Sequence, residues 1–214
     1  MNHCGRIRSI DSGPGLPTQN EGFSLVEFLL STLVLLIVAA SSFSVLVQAE
    51  RTAGTQTNMN DVLNNARIAV ETISRIIQQA GNNPMGASFD SLTLTSATEL
   101  TVRADLTGSA GAGNPNKGDP DGDVADGGET VTIRYNSQAQ TIELLEDMTT
   151  QSLAGNVSAF LIQYFDRNGN SAFAGGDVTR VRITLTVTSP LPDAQTGRPL
   201  SMQLGSDIQI AARQ

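Results

Sequence analysis

Residues 21–48 read EGFSLVEFLLSTLVLLIVAASSFSVLVQ, and the rest of the chain is organised around this stretch. From Phe28 to Ala49, between Glu27 and Glu50, 22 residues carry no charge. As a helix they extend about 33 Å, enough to cross the hydrocarbon core of a bilayer. Neither Gly nor Pro interrupts residues 23–53, and Leu, Val, Ile and Ala leave no polar face, the pattern of a helix surrounded by lipid or by other helices. Ser31, Thr32, Ser41, Ser42 and Ser44 are the polar exceptions. Glu27 stands at the mouth of the segment, and ionisable groups in such places are usually there for function. The small residue Gly22 precedes the apolar run, whereas a secretory signal peptide places its small-residue cleavage site after a shorter apolar core.

Gly22-Phe23 followed by Ser24-Leu25-Val26-Glu27 and the apolar run resembles the processing site of type IV prepilins. Gly, Phe, Glu and the hydrophobic stretch all fall in register. The resemblance implies that a prepilin peptidase cuts between Gly22 and Phe23, that the new amino terminus at Phe23 is N-methylated, and that Glu27 serves assembly. It also implies an N-terminus in the cytoplasm and a domain outside it. Arg6 and Arg8 before the span, against Arg51 after it, lean weakly the same way.

The chain has 214 residues and a net charge of -8, and Arg6, Arg8, Asp11 and Glu21 cancel within residues 1–22. The whole acidic excess therefore lies beyond Gly22. Nucleic acid is not an expected partner, because it requires a basic face, and the largest basic grouping between Arg103 and Arg182 is Arg180 with Arg182. The single His and the single Cys, His3 and Cys4, lie within residues 1–22. With that leader removed, the chain has no imidazole and no thiol. Ser/His/Asp and Cys/His catalysis, thiolate or imidazole zinc sites and disulfides are then excluded. Many major pilins close a C-terminal loop with a disulfide, and this sequence departs from that pattern.

Residues 1–22 read as a cytoplasmic leader and 23–53 as the membrane and assembly helix. Residues 54–81 continue it as an amphipathic helix after a break at Gly54. There Met59, Val62, Leu63, Ala66, Ala69, Val70, Ile73, Ile76, Ile77 and Ala80 recur at three- and four-residue steps. Gly81 is placed to end the helix, and Asn82-Asn83-Pro84 prevents its continuation. Residues 82–214 read as an extracytoplasmic β domain. Alternation predicts strands over 91–95, 99–104, 130–135, 140–145, 160–164 and 180–187, a loop over 190–199 and an edge strand over 200–210. The expected fold class is α+β and pilin-like: a long N-terminal transmembrane and amphipathic helix packed on one antiparallel β-sheet.

Three further tracts, 65–81, 157–170 and 180–187, are similar to PilW-like minor pilins and J-type pseudopilins of type II secretion. The resemblance implies a minor subunit assembled with other pilin or pseudopilin subunits in the inner membrane and its lipid. It implies no enzymatic activity and no required cofactor.

Residues 107–128, TGSAGAGNPNKGDPDGDVADGG, form a Gly-rich acidic insertion. Asp119, Asp121, Asp123, Asp126 and Glu129 put five carboxylates into 11 residues, a spacing and ligand type suited to Ca²⁺. The EF-hand pattern is incomplete, since Val124 stands where Gly is needed and Thr130 where the last acid is needed. The segment 166–170 with Asp177 repeats the spacing, and Ser171 interrupts it. Solvated turns are the plainer reading of both. Two rivals follow: a membrane-tethered extracytoplasmic calcium-binding module, and an enzyme using a carboxylate pair converging in a cleft.

Overall fold

The computed structural model describes residues 24–108, 118–193 and 196–210. Among the described residues one α-helix, α1 (Leu25–Gln78), precedes eight strands: β1 (Leu92–Ser96), β2 (Glu99–Arg103), β3 (Thr130–Asn136), β4 (Thr141–Glu146), β5 (Thr149–Ala154), β6 (Val157–Phe165), β7 (Arg180–Pro192) and β8 (Pro199–Gln209). The protein is therefore α+β, with antiparallel sheets. Its chain divides into two units, one ending at Val47 and the other beginning at Gln48.

The first unit contributes the apolar part of α1. By length and composition α1 is long and apolar enough to cross a membrane. Large side chains such as Leu36, Ile37 and Phe43 are exposed. The hydroxyls that interrupt the apolar run turn back onto the helix. Ser31 donates to Glu27 O, Thr32 to Leu29 O, and Ser41 and Ser42 to Val38 O, at 2.8–2.9 Å. Such back-bonding gives each hydroxyl a partner without water, as a helix in hydrocarbon requires.

In the second unit the remainder of α1 supplies the amphipathic stripe. No break occurs at Gly54, which lies inside the helix with nothing within 4 Å of where a Cβ would stand. The break expected there does not form because one Gly costs a helix only about 1 kcal/mol relative to Ala, too little to end it. Ala66, Ala69, Ile73, Ile77 and Ala80 are at most 1% exposed, and the alanines allow the helix to sit close to the strands. Gly81 takes φ 76°, but its N–H leaves the helix and donates to Arg103 O at 2.9 Å. The helix end is thereby tied to β2.

The strands form two sheets where the sequence suggests one. The first is a meander, β1-β2-β3-β4-β5, and the second runs β6-β7-β8. Leu100, Ile133 and Ile142 from the first join Val157, Ile183, Leu185, Val187 and Ile208 from the second in one core with the stripe of α1. The chain changes sheet at Gly155 and Asn156, the latter at φ 58°. The two tyrosines bind the sheets together: Tyr135 Oη donates to Val157 O at 2.9 Å, and Tyr164 Oη to Ser96 O at 3.2 Å. Burial of Tyr164 raises the pKa of its phenol.

β5 has no counterpart among the expected strands. Thr149, Thr150, Gln151 and Ser152 are all exposed, so it carries no alternation to read. The expected loop at 190–199 is also shorter, because β7 continues to Pro192 and β8 begins at Pro199. The prolines are accommodated where the register shifts between Thr188 and Pro192, a usual place for Pro in a sheet.

Candidate functional site: an apolar helix and a carboxylate-pinned insertion

The predicted cleavage pair, Gly22 and Phe23, lies outside the described residues. Glu27 is in the first turn of α1 and exposed.

The acidic insertion rises from the end of β2 and returns at the start of β3. Residues 109–117 of it lie outside the described residues. Two fully buried carboxylates hold its feet. Asp105 accepts the N–H groups of Asp121 on Oδ1 at 3.2 Å and Gly122 on Oδ2 at 3.0 Å. Glu129 accepts Leu106 and Thr107 on Oε1, each at 2.9 Å, and Asp126 on Oε2 at 3.1 Å. Burying a charged carboxylate is affordable only when donors surround it, and here backbone donors do.

Between these anchors the loop curls through its own side chains. Asp121 Oδ1 accepts Asp123 N–H, and Asp123 Oδ1 accepts Ala125 N–H, two successive Asx turns. Thr130 Oγ1 donates to Val124 O at 2.9 Å. The curl brings Asp121, Asp123 and Asp126 together, with one carboxylate oxygen of each within 4.8 Å of the others. Asp126 Oδ2 is buried and has no hydrogen-bond partner among the described residues.

Of the five acids singled out for Ca²⁺, the structure thus converges three. Asp119 is not a member of that group, and both oxygens of Glu129 accept backbone N–H groups. Glu129 is in phase with Val131 and Ile133, the inward residues of β3, and that parity marks it for burial. Asp105 escapes sequence reasoning because it breaks the parity of Leu100, Val102 and Ala104, all buried before it.

The second acidic segment is a capped turn. Asp166 Oδ1 accepts the N–H groups of Asn168 and Asn170 at 2.9 and 2.8 Å, with Gly169 at φ 85°. The Asn170 backbone N–H leads the contacts that hold the Asp166 carboxyl below its ordinary range. Among the described residues, Asp177 does not join it in a metal-ligating group.

Fold and site together define a class: an α+β protein with one helix apt for a membrane and a two-sheet domain bearing a carboxylate-pinned acidic loop. No protein-family model matches the chain, and no curated protein matches it.

Proposed function

We propose that this chain is a minor pilin or pseudopilin, processed by prepilin peptidase between Gly22 and Phe23 and assembled into a type IV pilus or a type II secretion pseudopilus. The reading rests on one observation: Gly22 and Phe23 precede, and Glu27 opens, a helix that runs uninterrupted from an apolar stretch into the core stripe of an α+β domain. The coarse α+β fold of that domain, a helix packed with antiparallel strands, is compatible with the pilin ground plan that the sequence resembles. Before assembly the protein is a single-pass inner-membrane protein, with its N-terminus cytoplasmic and its strands outside. It needs no enzymatic activity and no cofactor. Its partners are the peptidase, other pilin or pseudopilin subunits and lipid.

Glu27 has a defined role in this scheme. Cleavage creates an amine at Phe23, and a carboxylate four residues on is its counter-charge in the next subunit. An unpaired charge in hydrocarbon costs about 2.5–3.5 kcal/mol at mid-helix and less toward the ends, so pairing drives assembly. Glu27→Leu is expected to be cleaved and inserted normally while its share in purified filaments falls at least about tenfold, the equivalent of about 1.4 kcal/mol. Incorporation of Glu27→Leu at the parental level refutes the role.

A second reading is favoured by Asp126 Oδ2, a buried carboxylate oxygen lacking a donor beside Asp121 and Asp123. A hard divalent cation satisfies such an oxygen and relieves repulsion among the three acids. In this reading the domain is a membrane-tethered Ca²⁺ module of the weak extracellular class, with a Kd on the order of 10⁻⁴–10⁻³ M. Millimolar Ca²⁺ should raise the thermal midpoint of the protein in detergent, and Asp121→Ala/Asp123→Ala should abolish the rise. An unchanged midpoint leaves the insertion a solvated loop.

A further inference from the structure

We propose that β8 is the docking edge for a second copy of this chain, which adds its own β8 in antiparallel fashion and joins two three-stranded sheets into one of six. Other strand edges in the second unit are occupied or unsuited. The β1 side is approached by a 3-10 turn, Gly175–Asp177, so closely that a Cβ at residue 175 would overlap Leu92 O. The outer edge of β6 is met by turns of the first sheet, with Ile162 N–H donating to Ala97 O and Val157 N–H to Gln140 O. β5 is short and its first four side chains are polar and exposed.

β8 differs on each count. It is 11 residues long, and among the described residues no hydrogen bond reaches its outer edge. Its register with β7 is unbroken from Gln209 to Ser201. Residues 200–206, LSMQLGS, contain no charge and no Pro, the usual devices that keep an edge from pairing. On the core side, Val187 of β7 is fully buried while its partner Met202 is 51% exposed and Leu200 is 38% exposed. The apolar row of the sheet reaches its edge and ends there uncovered.

The pattern of β8 selects its occupant. Paired antiparallel about Gln203, Met202 faces Leu204 of the second copy, Leu204 faces Met202, and Ser201 faces Gly205. On one face the central pairs are Met202 with Leu204, flanked by Leu200 with Ser206; on the other, Gln203 meets Gln203 and Ser201 meets Gly205. Asp207, the one charge in β8, falls opposite Pro199 of the second copy, so two chains of net charge -8 meet without an acid against an acid. Such an interface is isologous and closes at two chains. It stands independently of the filament reading, and anchoring in one membrane raises the effective concentration of the copies.

Disulfide mapping of the full chain in membranes tests the register, in a Cys4→Ser background so that introduced thiols are the only ones. Gln203→Cys puts two thiols in one cross-strand pair, with Cα atoms about 4.5–5.5 Å apart, within disulfide range. A mild oxidant should convert it to dimer. Ser201→Cys alone should not cross-link, because its two copies lie four residues out of register, about 14 Å apart. Co-expressed Ser201→Cys and Gly205→Cys chains should link to each other, and Gln151→Cys on β5 should stay monomeric. Met202→Lys should remove the Gln203→Cys dimer. The proposal is overturned by absence of the Gln203→Cys dimer, by equal linking at Ser201 or Gln151, or by a dimer that survives Met202→Lys.

Discussion

Glu129→Gln isolates the pin that holds the acidic insertion. The carboxylate accepts three backbone N–H groups, from Leu106, Thr107 and Asp126, and is 1% exposed. An amide of the same shape has one acceptor oxygen and an NH₂ with two donors. If its oxygen keeps Leu106 and Thr107, the NH₂ is turned against Asp126 N–H, so one bond is lost and two donors face each other. A hydrogen bond to a charged group contributes about 1.5–3 kcal/mol, and the two surviving bonds lose their charge assistance. The expected loss is therefore at least about 2 kcal/mol, against a whole-domain stability of about 5–15 kcal/mol. Hydrogen exchange on the protein in detergent reads it locally. Protection of Asp126 N–H should fall more than tenfold, with smaller losses at Leu106 and Thr107, since about 1.4 kcal/mol corresponds to a factor of ten. Unchanged protection at Asp126 would show that Glu129 does not hold the loop.

Gly175→Ala should lower the urea midpoint by the equivalent of about 1–3 kcal/mol, because the new Cβ overlaps Leu92 O and backbone must move to admit it; a parental midpoint contradicts the close approach. Acid should weaken the domain in part through Glu143, whose carboxyl is held below its ordinary value of 4.5 first by the Arg134 guanidinium 2.6 Å away and then by Asn136. A depressed folded-state pKa gives stability that is present in full above the unfolded value and lost as pH falls through the folded value. Urea midpoints should thus be level above about pH 5 and decline below pH 4.5, with a shallower decline in Glu143→Gln; parallel curves for the two proteins exclude the pair as a contributor.

The helical half of the fold was legible because its signals are local. The steps from Met59 to Ala80 and the Gly at 81 specify a stripe and its end without reference to anything distant. β7 was equally plain, its inward residues Val181, Ile183, Leu185 and Val187 alternating with polar ones. Alternation says which face of a strand is buried, not which sheet the strand joins. The division into two sheets depends on the reversal at Gly155 and Asn156 and on long-range bonds from Tyr135 and Tyr164. In β5 the polar run TTQS hides even the strand. At the acidic loop, residue type suggested five equivalent ligands, whereas burial divides them. Glu129 became a structural anchor through its parity with β3, and Asp105 was invisible because nothing local announces a carboxylate that serves residues 16 and 17 positions away.

The central claim is that Gly22 and Phe23 form a processing junction. Intact-mass analysis with N-terminal fragmentation of the protein, extracted from membranes of cells with an active prepilin peptidase, tests it without reference to any filament. The predicted product begins at Phe23 with an N-methyl group, and loss of the peptidase or substitution of Gly22 by a bulky residue leaves the longer precursor. A chain that retains residues 1–22 in the presence of active peptidase contradicts the account.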